Sequence, residues 1–75
     1  MRWHILILAL ALASCSAGKE AEEKYHMVEK AKGGKRELCT AAGEVAAAYL
    51  ADRNQVEYER WKLYRDTNCM AARYE

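Results

Sequence analysis

The 75-residue chain lacks proline and phenylalanine and contains only four glycines. Proline and glycine are the residues that interrupt helices most strongly, so their scarcity removes the usual breaks from most of the chain. Alanine, glutamate, lysine and arginine, which are good helix formers, are abundant instead. The composition therefore favours an all-α fold, and the length allows one domain at most.

The chain also lacks a large excess of charge of either sign. Arg2 is the one charged residue among positions 1–14, so eleven of the twelve basic residues and all eleven acidic residues lie from position 15 onward. That part of the chain is formally neutral. The balance gives no electrostatic case for a nucleic-acid partner.

No apolar run is long enough to cross a membrane. The run from Ile5 to Ala13 has nine residues, whereas a spanning helix needs about 20. It follows a short segment with one basic residue, Arg2, and this order is typical of a secretory signal peptide. We expect residues 1–14 to form a signal-peptide helix that is removed from the mature protein.

The four residues Leu12, Ala13, Ser14 and Cys15 follow the apolar run. They resemble the lipobox of bacterial lipoprotein precursors, in which a leucine and two small residues precede a cysteine. The resemblance implies that Leu12, Ala13 and Ser14 are recognised by the lipoprotein signal peptidase, which cuts before Cys15. It also implies that Cys15 carries a diacylglyceryl group on its thiol and an acyl chain on its new amino group, which together would hold the protein on a membrane.

The position after the cysteine bears on location. Ser16 is not the aspartate that favours inner-membrane retention, so we expect an outer-membrane lipoprotein whose domain lies in the periplasm. An alternative is an ordinary secretory signal, because Ala11-Leu12-Ala13 also fits the small-x-small pattern. Cleavage after Ala13 would release a soluble secreted or periplasmic protein, such as an inhibitor or effector.

The three cysteines form an odd set, which in an exported protein calls for an explanation. If Cys15 carries lipid, Cys39 and Cys69 remain as a pair in an oxidising compartment where disulfides persist. A chain of about 60 residues buries only about 60% of its unfolded surface, so a covalent staple or a partner is expected. The cysteine count thus agrees with the lipobox.

Three helices are predicted after a short spacer at residues 15–18. Helical spacing of apolar residues predicts helices over about 19–32, 35–51 and 55–72, and the whole of 19–75 is read as one small helical domain. Gly33-Gly34 marks the first boundary. Asp52-Arg53-Asn54 is the second, and Asn54 with Glu57 three residues later resembles a capping box.

The last two helices are expected to form an antiparallel hairpin. With the turn centred near Arg53 or Asn54, facing positions have numbers that add to about 108, which pairs Cys39 with Cys69 and Gly43 with Arg65. The register therefore predicts a disulfide between the two cysteines. Two separate buried thiols are the alternative. Metal ligation is less favoured because His26 is the one histidine after position 15 and no close ligand spacing appears.

The third helix carries two apolar stripes. Tyr58, Trp61, Cys69 and Ala72 share one face, and Val56, Leu63 and Met70 share a second. One stripe can pack on the preceding helix, which leaves the other for the first helix or for an external partner. If the first helix does not fold back, Val56, Leu63 and Met70 would be exposed and would mark a binding surface.

No catalytic constellation is evident. His26 lies on a charged helix, where a solvated residue is more common than a general base. Cys39 and Cys69 do not form the Cys-x-x-Cys of a thiol oxidoreductase. We therefore expect no enzyme activity, no cofactor and no metal, and we interpret the chain as an envelope lipoprotein held on a membrane through Cys15, with a structural or protein-interaction role.

Overall fold

A computed structural model describes residues 17–75, which form three α-helices joined by two short turns. Helix α1 is Ala17–Lys30, α2 is Lys35–Ala51 and α3 is Gln55–Ala72. The prediction of an all-α domain with a helical hairpin is confirmed, and the bounds of α2 and α3 agree with those read from the periodicity. The predicted signal peptide and the sites at Leu12, Ala13, Ser14 and Cys15 lie outside the described residues.

Helix α1 begins and ends two residues earlier than the sequence predicts, and its last turn explains the end. The N–H of Lys32 donates to Glu29 O at 2.9 Å and the N–H of Gly33 donates to Val28 O at 2.9 Å. This pair of bonds is a Schellman motif, in which the residue after the helix takes a left-handed conformation. That residue is Lys32, with φ of 59°, and not one of the glycines.

Gly33 is nevertheless required at this turn, for a different reason. A Cβ atom at position 33 would lie 2.6 Å from Val28 Cγ1, which is far inside van der Waals contact. The absence of a side chain lets the turn fold tightly over the end of α1. Gly33 therefore marks the boundary through close packing and not through positive φ.

The turn between α2 and α3 repeats this geometry with another basic residue. Arg53 has φ of 59°, and its N–H donates to Leu50 O at 3.0 Å, while the N–H of Asn54 donates to Tyr49 O at 2.9 Å. Asn54 then caps α3, because its Oδ1 accepts from the N–H of Glu57 at 3.2 Å. The predicted cap at Asn54 is confirmed, but the second bond of a capping box is not formed at this turn, because the N–H of Asn54 donates to Tyr49 O and not to Glu57.

The core lies along α2, whose alanines leave room for neighbouring helices on two sides. Ala42, Val45 and Ala46 are almost completely buried, with α1 packed on one side of α2 and α3 on the other. Small side chains on α2 let the axes of α1 and α3 approach it closely. Most of the apolar surface buried in the core is therefore contributed by larger side chains, such as Tyr25 on α1 and Trp61 on α3. The core residues are Tyr25, Leu38, Ala41, Ala42, Val45, Ala46, Tyr49 and Trp61.

Side chains from α1 and α3 also meet directly. The rings of Tyr25 and Trp61 pack edge to face with centroids 5.0 Å apart, a favourable arrangement for aromatic pairs. Asn68 is buried, and its Nδ2 donates to the Tyr25 hydroxyl at 3.0 Å. The bond satisfies the polar end of Tyr25 and fixes how α1 lies against the hairpin.

A disulfide joins α2 to α3 between Cys39 and Cys69, whose Cα atoms are 4.7 Å apart. The predicted register is confirmed at a second position, since a Cβ on Gly43 would lie 3.5 Å from Cδ of Arg65. In both pairs, Cys39 with Cys69 and Gly43 with Arg65, the two residue numbers add to 108. The hairpin is therefore locked in one register by a covalent link.

We expect removal of the disulfide to destabilise the domain strongly. The link spans 30 residues, and chain entropy predicts a loss of about 3 to 4 kcal/mol in the free energy of unfolding when such a loop is opened. The measurement is urea denaturation of the oxidised domain and of a Cys39→Ser, Cys69→Ser variant, in which no unpaired thiol remains at these positions. Equal urea midpoints would show that the link contributes nothing to stability.

Candidate partner surface on the third helix

Helix α3 presents an apolar stripe to solvent. Val56, Leu63 and Met70 are 76%, 69% and 59% exposed. Their seven-residue spacing places them on one side of this five-turn helix. We call this set of three residues the outer stripe. The opposite face of α3 carries Trp61, which is only 3% exposed.

The exposure of the outer stripe does not result from an undocked first helix. Helix α1 folds back and packs on α2, and it meets α3 through Tyr25, which contacts Trp61 and Asn68 on the inner face. The stripe was predicted to be exposed if the first helix stayed away from the hairpin, and it is exposed although α1 folds back. Helix α1 contacts the face of α3 that carries Trp61. The outer stripe lies on the opposite face, about half a turn around the helix axis, so α1 does not cover it.

Aromatic and basic side chains border the outer stripe. Tyr64 and Tyr74 are exposed, and a groove of about 280 Å³ is lined by Arg60, Leu63, Tyr64 and Thr67. The Arg60 guanidinium lies 5.8 Å from the centre of the Tyr64 ring, and its pKa is raised by interaction with the Tyr64 side chain and by the Glu57 carboxylate. Tyrosine, arginine and large apolar residues are the types enriched at protein interfaces.

Tyr64 was not predicted beside the outer stripe. It follows Leu63 by one position, which rotates it about 100° around the helix, and the stripe was defined from aliphatic residues alone. Tyr74 lies two residues beyond the end of α3 at Ala72, so the helical periodicity that defines the stripe does not extend to it.

His26 lies where the sequence predicts, exposed on α1 among acidic residues. Its Nδ1 is 2.8 Å from Glu29 Oε1, and its Nε2 is 4.0 Å from Glu22 Oε2. Its ring is 6.4 Å from that of Trp61, centroid to centroid. His26 therefore contacts two carboxylates of its own helix and the Trp61 ring of α3. None of these three groups is a nucleophile that the imidazole could activate.

The start of α1 is held against the end of the hairpin. The N–H of Gly18 donates to Asp52 Oδ2 at 2.8 Å. Gly18 is buried on the ring of Tyr49, and a Cβ atom at position 18 would overlap that ring. The Tyr49 hydroxyl in turn donates to Glu22 Oε1 at 2.6 Å. Gly18 was predicted to lie in the spacer, because no local sequence pattern identifies a glycine that lets an aromatic ring approach the backbone.

Two further observations concern residues 17–75 as a whole. In this part of the chain no three histidine, cysteine or acidic side chains lie close enough together to hold a metal ion. None of the three described helices combines the length and the apolar character that a membrane span requires.

Comparison of the chain with protein-family models, curated proteins and solved structures finds no match.

The Tyr49 contact makes stability depend on pH in the alkaline range. Burial raises the pKa of Tyr49 to about 12, and the hydrogen bond to Glu22 adds to the effect. The raised pKa stabilises the folded domain fully below pH 10, the ordinary tyrosine value, and this contribution is lost as pH rises from 10 toward 12. We expect the free energy of unfolding to fall more steeply with pH in the wild type than in Tyr49→Phe.

The measurement is urea denaturation of both proteins across that pH range. Tyr49→Phe also loses the bond to Glu22, so at neutral pH it is expected to be less stable by about 1 kcal/mol. The effects of pH on the rest of the domain are common to both proteins and cancel in the comparison. Parallel pH profiles would contradict the prediction.

Proposed function

We propose that this chain is a small lipoprotein of the bacterial envelope, held on the outer membrane through an acylated Cys15, with its helical domain in the periplasm and a structural or protein-interaction role. The observation that supports this role is the outer stripe, in which three large apolar side chains of one helix are exposed to solvent at seven-residue intervals. Together with Arg60 and Tyr64 beside Leu63, these side chains are of the types enriched at protein interfaces.

The attachment is supported by the sequence around Cys15. Two or three acyl chains hold a protein stably on a membrane, whereas a single chain gives only marginal binding. The use of Cys15 as the lipid site also accounts for the cysteine count, since Cys39 and Cys69 are paired with each other.

The partner role is supported by the rigidity of the surface. The outer stripe lies on one α-helix that is fixed by the disulfide and by Trp61 in the core. A preformed surface loses little conformational freedom on binding, which favours affinity. Helix α3 would present its apolar stripe to the side chains of an envelope protein.

The second candidate is a soluble secreted protein, an inhibitor or effector, and one observation favours it. Ala11-Leu12-Ala13 offers a cleavage pattern for the ordinary signal peptidase. Cleavage after Ala13 would leave Ser14 and an unmodified Cys15 at the start of the mature chain. The outer stripe would then serve a partner away from the membrane.

Globomycin and mass spectrometry distinguish the two candidates. For the lipoprotein we expect globomycin to cause the precursor to accumulate, because it inhibits the lipoprotein signal peptidase. The intact mass of untreated protein should show cleavage before Cys15, added acyl chains and two hydrogens fewer for the disulfide. A Cys15→Ser variant is the control and should gain no lipid. A mature mass that begins at Ser14 without lipid would establish the soluble alternative.

Capture from membranes tests the partner role. We expect an envelope protein to co-purify with the wild-type chain from detergent-solubilised membranes and to be lost with Leu63→Glu, which puts a charge in the middle of the outer stripe. Met27→Glu is the matched control, because Met27 is equally exposed but lies on α1. Both are surface substitutions, so their stability is expected to stay within about 0.5 kcal/mol of the wild type.

Thermal unfolding of the two variants verifies that both fold. A protein retained by the wild type and Met27→Glu but not by Leu63→Glu supports the role of the outer stripe. Equal capture by all three proteins, or no reproducible partner, counts against it.

A further inference from the structure

We propose that the end of the bundle where α1 begins rests directly on the lipid surface that holds the chain. This end consists of Ala17 and of the residues around the second turn, Leu50, Arg53 and Val56, and we call it the tether end. The inference depends on the proposed acylation of Cys15. It adds an orientation of the domain and a second contact with lipid.

The first argument is the length of chain between lipid and helix. Ala17, where α1 begins, is two residues after Cys15. A residue spans at most about 3.6 Å, so the Cα atoms of Cys15 and Ala17 are within about 7 Å of each other in any conformation. The folded domain therefore begins at the depth of the lipid head groups.

The second argument is that α1 is fixed at its first turn. Gly18 donates to Asp52 at 2.8 Å and is packed under the ring of Tyr49. The two contacts hold the start of α1 beside the turn that joins α2 to α3. A short tether attached here brings that turn to the membrane as part of one rigid body.

The third argument is the apolar surface at this end. Leu50 is 50% exposed and Val56 is 76% exposed, and they lie on the two sides of the turn that contains Asp52. Apolar side chains held at the head-group level gain free energy by entering the boundary with the acyl chains. Lipid is the favoured occupant of this end, because a protein bound here would have to fit into the space of about 7 Å that the tether allows. Val56 is then in contact with lipid, and Leu63 and Met70 are the residues of the outer stripe that remain for a protein partner.

The charges at this end are balanced, which makes a prediction about lipid type. Lys19 and Arg53 are basic, and Glu20 and Asp52 are acidic, with Asp52 bonded to Gly18. Balanced charge gives no attraction to anionic lipid beyond that to neutral lipid. The contact should form equally on vesicles of phosphatidylcholine alone and on vesicles that also contain phosphatidylglycerol.

Fluorescence quenching by brominated lipid tests the orientation. The full chain, processed in a bacterium, is reconstituted into vesicles with dibromo-phosphatidylcholine, and tryptophan is placed at Leu50→Trp, Val56→Trp or Tyr74→Trp. Tyr74 is the control, since it is 86% exposed and lies just beyond the other end of α3, about 25 Å from Val56 at 1.5 Å per residue. Trp61 is 3% exposed and its signal is subtracted with the parent protein.

We expect the added emission of Leu50→Trp and Val56→Trp to fall at least about twofold, because interfacial side chains sink about 5 to 10 Å into the head-group boundary. The emission of Tyr74→Trp should stay nearly unchanged. Circular dichroism and the mass of the oxidised chain establish that each variant folds.

The failures of the two proposals are distinguishable. An acylated, vesicle-bound protein in which all three tryptophans are quenched equally, or none is, overturns the orientation and leaves the lipoprotein proposal in place. Quenching at the tether end that appears only with anionic lipid overturns the apolar contact. A mature chain without lipid on Cys15 overturns both.

Discussion

Close approach of two helices to α2 is the constraint on which the rest of the structure depends. Ala42 and Ala46 add almost no bulk, so α1 and α3 can lie against the same thin helix and bury Tyr25, Tyr49 and Trp61 around it. A core of this size is marginal for a free-standing domain. The disulfide supplements it by limiting the unfolded chain, and the bond from Asn68 to Tyr25 ties together the two helices that α2 separates.

Much of this arrangement is encoded in local patterns of the chain. The 3.6-residue spacing of Leu38, Ala42 and Val45 was sufficient to predict α2, and the cap at Asn54 fixed where α3 begins. From these two features the pairing of Cys39 with Cys69 follows, because a hairpin with a known turn has only one register. The prediction succeeded where each step depended on neighbours in the sequence.

The features that escaped prediction depend on contacts between distant residues. Gly33 and Gly34 are the residues that adopt a left-handed conformation most easily, yet Lys32 adopts it, since the position of a Schellman turn is set by where α1 stops. The burial of Gly18 depends on Tyr49, 31 positions later. Periodicity identified both stripes of α3 but could not decide which of them faces α1, because that choice depends on the groove α1 occupies beside α2.

The two ends of the bundle are fastened by different chemistry. The disulfide lies in the second turn of α2 and near the last turn of α3, away from the tether end, while the bonds of Gly18 to Asp52 and of Tyr49 to Glu22 hold the tether end without a covalent link. A change in the redox state of the compartment therefore removes the covalent link at one end of the domain, while the hydrogen bonds at the other end do not depend on it. Met70 follows Cys69 directly and Val56 lies 13 residues before it, so the two ends of the outer stripe lie beside the two different kinds of fastening.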